Sequence, residues 1–279
     1  MASPGGSASW RSDRSLLIRY FLGAYGFTWV LQLAIPLFGL SFESAPAQVL
    51  YILSVLGPLL SAMAVTVNSG GKAGLRALFA KALQWRFSLI WYLMAIGTVA
   101  ALKLISTGLY MVLGGVGPEQ WVTASSGGIL FVLLSQFGYV MFAEEIGWRA
   151  FALPRLLEQF GALGGTLLLA FLHACWHLPM FFVPGSNQAG SSFVLYLFIH
   201  VAWSTSMTFL YDRSGQSALP CLLFHASLNV AAFVVGAPAG SEIYQRLLYG
   251  VLILSLVPFF PRPLFRSPWS ASMELQRST

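Results

Sequence analysis

The feature that most constrains this chain is a succession of apolar stretches between Leu17 and Phe260, each long enough to cross a hydrocarbon core. A transmembrane α-helix needs about 20 predominantly apolar residues, whereas a buried strand of a soluble protein needs only a handful. Spans fall near Leu17 to Leu40, Val49 to Val67, Leu89 to Leu113, Gly128 to Leu153, Leu163 to Val183, Phe193 to Leu210, Ala218 to Val235 and Leu247 to Phe260. Composition agrees, because 57% of the residues are hydrophobic and only 9% charged, against about 25% charged in an ordinary soluble protein. Such a chain cannot cover its own surface in water. The expected fold is all-α, a polytopic transmembrane helical bundle of about eight spans.

Basic residues test that count, since cytoplasmic loops collect Lys and Arg. With both termini cytoplasmic, every one of the 15 basic residues except Arg246 and Lys103 falls on or near the cytoplasmic side. The net charge of +6 is therefore a topology signal. Scattered over separate loops, it does not argue for nucleic acid, and the expected partner is the lipid bilayer. Residues 1–14 read as a disordered cytoplasmic tail, 15–260 as the membrane domain and 261–279, broken by Pro261, Pro263 and Pro268, as a second tail. From Lys72 to Arg86, cations alternate with Leu75, Leu78, Phe79 and Leu83 as in an interfacial amphipathic helix. Cys175 and Cys221 lie in spans and carry no Cys-x-x-Cys pattern, so neither a disulfide framework nor a redox motif is expected.

Ionisable groups inside a span are costly, so each requires a reason. Glu144 and Glu145 are the only acids within the expected spans. Adjacent carboxylates cannot both ionise cheaply in a low dielectric. Arg149, i+4 from Glu145 on one helical face, can hold one of them charged and leave the other free to exchange a proton. The fifth span places His173 and His177 one turn apart. If the fourth and fifth helices turn near Gly161, Glu145 and His177 are each 16 residues from the turn. At 1.5 Å per residue both stand ~24 Å above it and face one another. In the seventh span His225 and Asn229 again share one face. Together these groups can activate a water and stabilise an oxyanion. Lys103 reads either as a neutralising charge or as a snorkelling lysine, His200 as packing beside Tyr196 and Trp203, and Asp212 with Arg213 as a solvated pair.

Glu144-Glu145-x-x-x-Arg149, an aromatic-rich segment ending His177-Leu178-Pro179, and His225-x-x-x-Asn229 together resemble the CPBP family of CAAX proteases and bacteriocin-processing enzymes, which includes the Ras-converting endopeptidase. The resemblance covers 120–235. It implies an intramembrane endopeptidase acting near the C-terminus of membrane-associated proteins or peptides, prenylated CAAX tails among them. It further implies a multi-pass protein of a bacterial inner membrane, with its site open to the cytoplasmic side. Carried over by residue, Glu144 would be the general base on a water also held by His177, His225 and Asn229 would polarise the scissile carbonyl, and Glu145 and Arg149 would orient them. One departure stands out, because the pattern has an aromatic residue four before its histidine and this chain has His173.

Two glutamates and several histidines are also a donor set for zinc. No His-Glu-x-x-His motif is present, and the resemblance implies direct activation of water by glutamate and histidine, so no cofactor is firmly implied and zinc is the alternative. Outside hydrolysis, the same polar residues could be helix glue in a bacteriocin-immunity or scaffolding protein, or proton-relay groups in a transporter.

Overall fold

The computed structural model describes residues 6–238 and 240–265. Among them the chain forms ten α-helices: α1 (Gly6–Leu37), α2 (Ala45–Ser54), α3 (Gly57–Ala82), α4 (Leu89–Val112), α5 (Ser126–Ser135), α6 (Met141–Glu145), α7 (Leu153–Trp176), α8 (Phe193–Arg213), α9 (Leu219–Val234) and α10 (Glu242–Leu256). No strand is formed among these residues, only an isolated bridge between Val122 and Val235. Helix starts follow local chemistry. Pro46, Pro58, Pro154 and Pro220 sit in first turns, where a missing N–H costs nothing. Ser125 and Ser192 accept from backbone N–H groups at the heads of α5 and α8.

Six helical segments among the described residues are long and apolar enough to cross a membrane: Arg14–Leu37, Ala45–Ala82, Leu89–Val112, Ser126–Trp176, Phe193–Arg213 and Glu242–Phe259. The number is six rather than the expected eight for two reasons. The fourth and fifth spans run together as one helical segment of 51 residues, and the seventh, Leu219–Val234, is a shorter apolar helix. Large apolar side chains point outward, with Val112 84% and Leu254 76% exposed, while Glu144, Glu145, Arg149 and His173 are buried. That inside-out distribution is what a lipid solvent requires of an integral multi-pass membrane protein.

The 51-residue segment is folded back on itself at Gly161, whose φ of 77° and ψ of 172° break α7 into two limbs. Glycine is needed twice over, by the positive φ and because a Cβ there would lie 2.7 Å from the carbonyl oxygens of Pro263 and Leu264. Those carbonyls accept from the N–H groups of Ala162, Leu163 and Gly164, at 3.1, 2.8 and 3.0 Å, which are the orphan donors of the second limb. The beginning of the expected C-terminal tail is thus docked; residues 266–279 lie outside the described residues. At the other end, α1 begins at Gly6, inside the stretch expected to be unstructured. No proline interrupts residues 6–14, so the helix propagates backward from its apolar part. Residues 1–5 lie outside the described residues.

Before α7 the helical path is twice wound as π-helix, over Gln136–Val140 and Ile146–Ala152. The second segment ends just before Pro154, whose ring would clash with the carbonyl four residues back, inside this wider turn. Tyr20 of α1 packs on Trp148 and Phe151 of the same turn, at 5.6 and 5.0 Å between ring centroids. A bend at Gly71 divides α3, and its second limb, Lys72 to Ala82, is the segment expected to be amphipathic. Leu78 and Ala82 are buried there while Lys72, Arg76 and Lys81 stay partly exposed.

Candidate functional site

The two limbs of the 51-residue segment meet α8 and α9 around a cavity of about 620 Å³, a volume typical of small-molecule and peptide side-chain sites. Glu144, Arg149, His173, His177, His200, His225 and Asn229 all line it. The chain has four histidines, and every one of them is on this wall.

The adjacent glutamates diverge because neighbouring helical positions point in different directions. Glu144 turns toward the second limb of α7, where its Oε2 lies 3.1 Å from His173 Nε2. Glu145 turns toward α9, and His225 Nδ1 lies 2.7 Å from its Oε1. Arg149 Nε stands 3.4 Å from the other oxygen of Glu145, the i,i+4 pair expected from the sequence. Arg149 is itself fixed from α8, by Ser204 Oγ at 3.3 Å and Met207 Sδ at 3.2 Å. Asn229 donates from Nδ2 to Gln136 Oε1 at 2.7 Å, so α9 is pinned to both the π-helical turn at Gln136 and to Glu145.

The straight-helix estimate pairs Glu145 with His177. In the structure the contact between these limbs is Glu144 with His173. A π-helix packs more residues into each turn than an α-helix, so seven residues of it shorten and re-phase the path from Gly161 to the glutamates, and the contact falls on His173, one turn before His177. His177 remains half-buried, with its ring 5.4 Å from that of His173 at an interplanar angle of 24°. The helix that carries both is held from α1, where Tyr25 donates to the Leu172 carbonyl and Trp29 Nε1 to the Trp176 carbonyl at 3.0 Å.

Two further residues border the cavity. His200, expected as packing, is buried against the site, with its ring 5.2 Å from His173 and 5.7 Å from His177. Gln136 lines the cavity and anchors Asn229. The available signal for His200 was scarcity, since every other histidine in the chain had already been assigned to the polar set. Elsewhere expectations hold. Cys175 and Cys221 are free thiols, and Asp212 and Arg213 form a partly exposed pair at 3.8 Å. The acidic neighbour of Lys103 is Glu242, outside the cavity.

Among the described residues, two groups of donors are close enough to hold a cation. Glu144, Glu145 and His225 form one, and His173, His177 and His200 the other, with the ligand atoms of each group within 4.8 Å of one another. In the first group Glu145 is already engaged by both Arg149 and His225.

Residues 126–231 match the family described as type II CAAX prenyl endopeptidase Rce1-like. A stretch of 135 residues is 24% identical to the CAAX prenyl protease 2 of Methanococcus maripaludis. That alignment takes in 45% of this chain and 46% of the relative, so it spans less than half of either protein. The matched region contains the paired glutamates, both limbs of the hairpin and α9 as far as Asn229.

Proposed function

Because residues 126–231 match the Rce1-like family of type II CAAX prenyl endopeptidases, which agrees with the motif resemblance to CPBP proteases, we propose that the protein is an intramembrane endopeptidase. Its substrate is the C-terminal region of a membrane-associated protein or peptide, of which a prenylated CAAX tail is one form. Its site faces the cytoplasmic side of a bacterial inner membrane.

The observation that carries this reading is the convergence of three separated sequence motifs on one cavity, with a carboxylate on one side and polar donors on the other. Glu144 is the general base. Removing a proton from water as it attacks the scissile carbonyl is worth about 10²–10⁴ in rate. His173 holds the Glu144 carboxylate in place, and His177, half-exposed to the cavity, steadies the attacking water. His225 and Asn229 face the developing oxyanion, where fixed donors stabilise charge that the ground state lacks. Glu145 and Arg149 set the orientation of His225. Glu144 then returns its proton to the leaving amine. Glu145 is already engaged by Arg149 and His225, and each step above is carried by Glu144, the histidines and Asn229.

The test uses protein purified in detergent and a quenched peptide ending in a prenylated or unprenylated CAAX sequence. Glu144→Ala and His177→Ala should retain the wild-type unfolding midpoint while cleavage falls by about 10²-fold or more. Undiminished cleavage by either variant would refute the assignment. Exhaustive chelation should not lower wild-type cleavage, and its abolition together with stoichiometric zinc would move the nucleophile onto a metal.

A further inference from the structure

The three histidines that face one another across the cavity do more than line it. We propose that His173, His177 and His200 form a binding site for a divalent transition metal of the zinc class, separate from the carboxylate pair. The inference does not depend on the hydrolytic reading.

Three imidazoles with ligand nitrogens within 4.8 Å of one another are near a metal triad. Zinc bonds imidazole nitrogen at about 2.0–2.1 Å in tetrahedral geometry, so each nitrogen would move inward by less than about 1 Å. Three protein ligands leave a fourth position open to the cavity. Imidazole also selects the metal class, suiting zinc, copper, iron and nickel over calcium or magnesium.

A second, independent observation concerns the far side of each ring. A metal-bound histidine ordinarily donates its other N–H to a carboxylate or a carbonyl, which fixes the tautomer. His173 Nε2 faces Glu144 Oε2 at 3.1 Å. His200 Nδ1 faces the Tyr196 carbonyl at 3.0 Å, and a carbonyl can only accept. Each contact spends one ring nitrogen and leaves the other as a free lone pair. On His173 that other nitrogen, Nδ1, is buried and without a hydrogen-bond partner. A buried lone pair with no donor is costly in a core and ordinary in a metal site.

The surroundings suit a cation. Glu144 lines the same cavity and reaches His173, while the positive charge of Arg149 is paired with Glu145. Trp148 stacks on His173 at 4.8 Å and Trp176 lies edge-on to His177 at 4.6 Å, so indole rings shield the ligands from competing water. Metal and water activation draw on the same His177 imidazole, and the loaded site is therefore a distinct state of the cavity.

Full-length protein in detergent, stripped with chelator and titrated with Zn(II) and Co(II), provides the test. Wild type should bind one equivalent, with the visible absorption of four-coordinate Co(II). His173→Phe, which restores an aromatic of the family pattern, should weaken binding at least tenfold, and His225→Gln should retain the stoichiometry. If His173→Phe is not recoverable as a folded protein, His200→Gln is read in the same way. Substoichiometric binding by wild type at micromolar zinc would overturn the proposal. So would unchanged affinity in the trio variants, or loss confined to His225→Gln, which would put the ion on the carboxylate group.

Discussion

Replacing Arg149 with methionine isolates what holds the buried carboxylate. Arg149 is 1% exposed and Glu145 is fully buried, so solvent screens neither charge. At their separation of 3.4 Å, the attraction at an effective dielectric of about 20 is about 5 kcal/mol. Removing one partner of a buried ion pair costs about 3–5 kcal/mol, because the remaining charge is stranded. His225, still 2.7 Å from Glu145, offsets part of that loss, which puts the expected destabilisation of Arg149→Met at about 3 kcal/mol. Methionine keeps most of the aliphatic stem, so packing against Met207 is largely retained and the loss is electrostatic. Adding Glu145→Gln removes the stranded charge while leaving an oxygen to accept from His225, and the double variant should recover about 2 kcal/mol. Reversible unfolding by denaturing detergent in mixed micelles reads these values directly. An Arg149→Met destabilisation below about 1 kcal/mol, or a double variant no more stable than the single, would refute the account of a buried charge that needs its partner.

Other outcomes follow from the same contacts. A methyl group on Gly147 would lie 2.6 Å from the Pro58 carbonyl oxygen, so Gly147→Ala should cost about 1–3 kcal/mol. Gly138, with nothing within 4 Å of its missing Cβ, should accept alanine without loss, and unfolding of the two variants side by side distinguishes them. Asn229→Ala should lower the rate of peptide cleavage by about 10²–10³, the usual effect of deleting an oxyanion donor. Its unfolding midpoint should shift little, since only the 2.7 Å bond to Gln136 is lost.

The parts of this molecule that were legible in the sequence are those governed by local rules. Span length and charge exclusion mark the helices from Leu17 onward, and i,i+4 spacing pairs Glu145 with Arg149. The turn assumed at Gly161 between the fourth and fifth spans is where the chain folds back. What could not be read was helical phase. Spacing rules assume 3.6 residues per turn, and nothing in Ile146-Gly147-Trp148-Arg149 announces a wider turn except the proline that follows. The consequence is specific, since it exchanges His177 for His173 as the contact of the glutamates. His200 does pack between Tyr196 and Trp203 as its spacing suggests; that its ring also meets His173 and His177 depends on the tertiary packing of α8 against α7.

The wide turn at Ile146–Ala152 also changes what distance along the chain means. A π-helical stretch is, in effect, an α-helix that has absorbed an extra residue without unravelling. The chain therefore carries a phase offset between the glutamates and the hairpin at Gly161. Deleting a single residue there would give a more regular helix and a poorer machine: everything on the N-terminal side would rotate by about 100° relative to the histidine limb, swinging Glu144 off His173. The number of residues between the glutamates and the hairpin is consequently as much a part of the site as the side chains themselves.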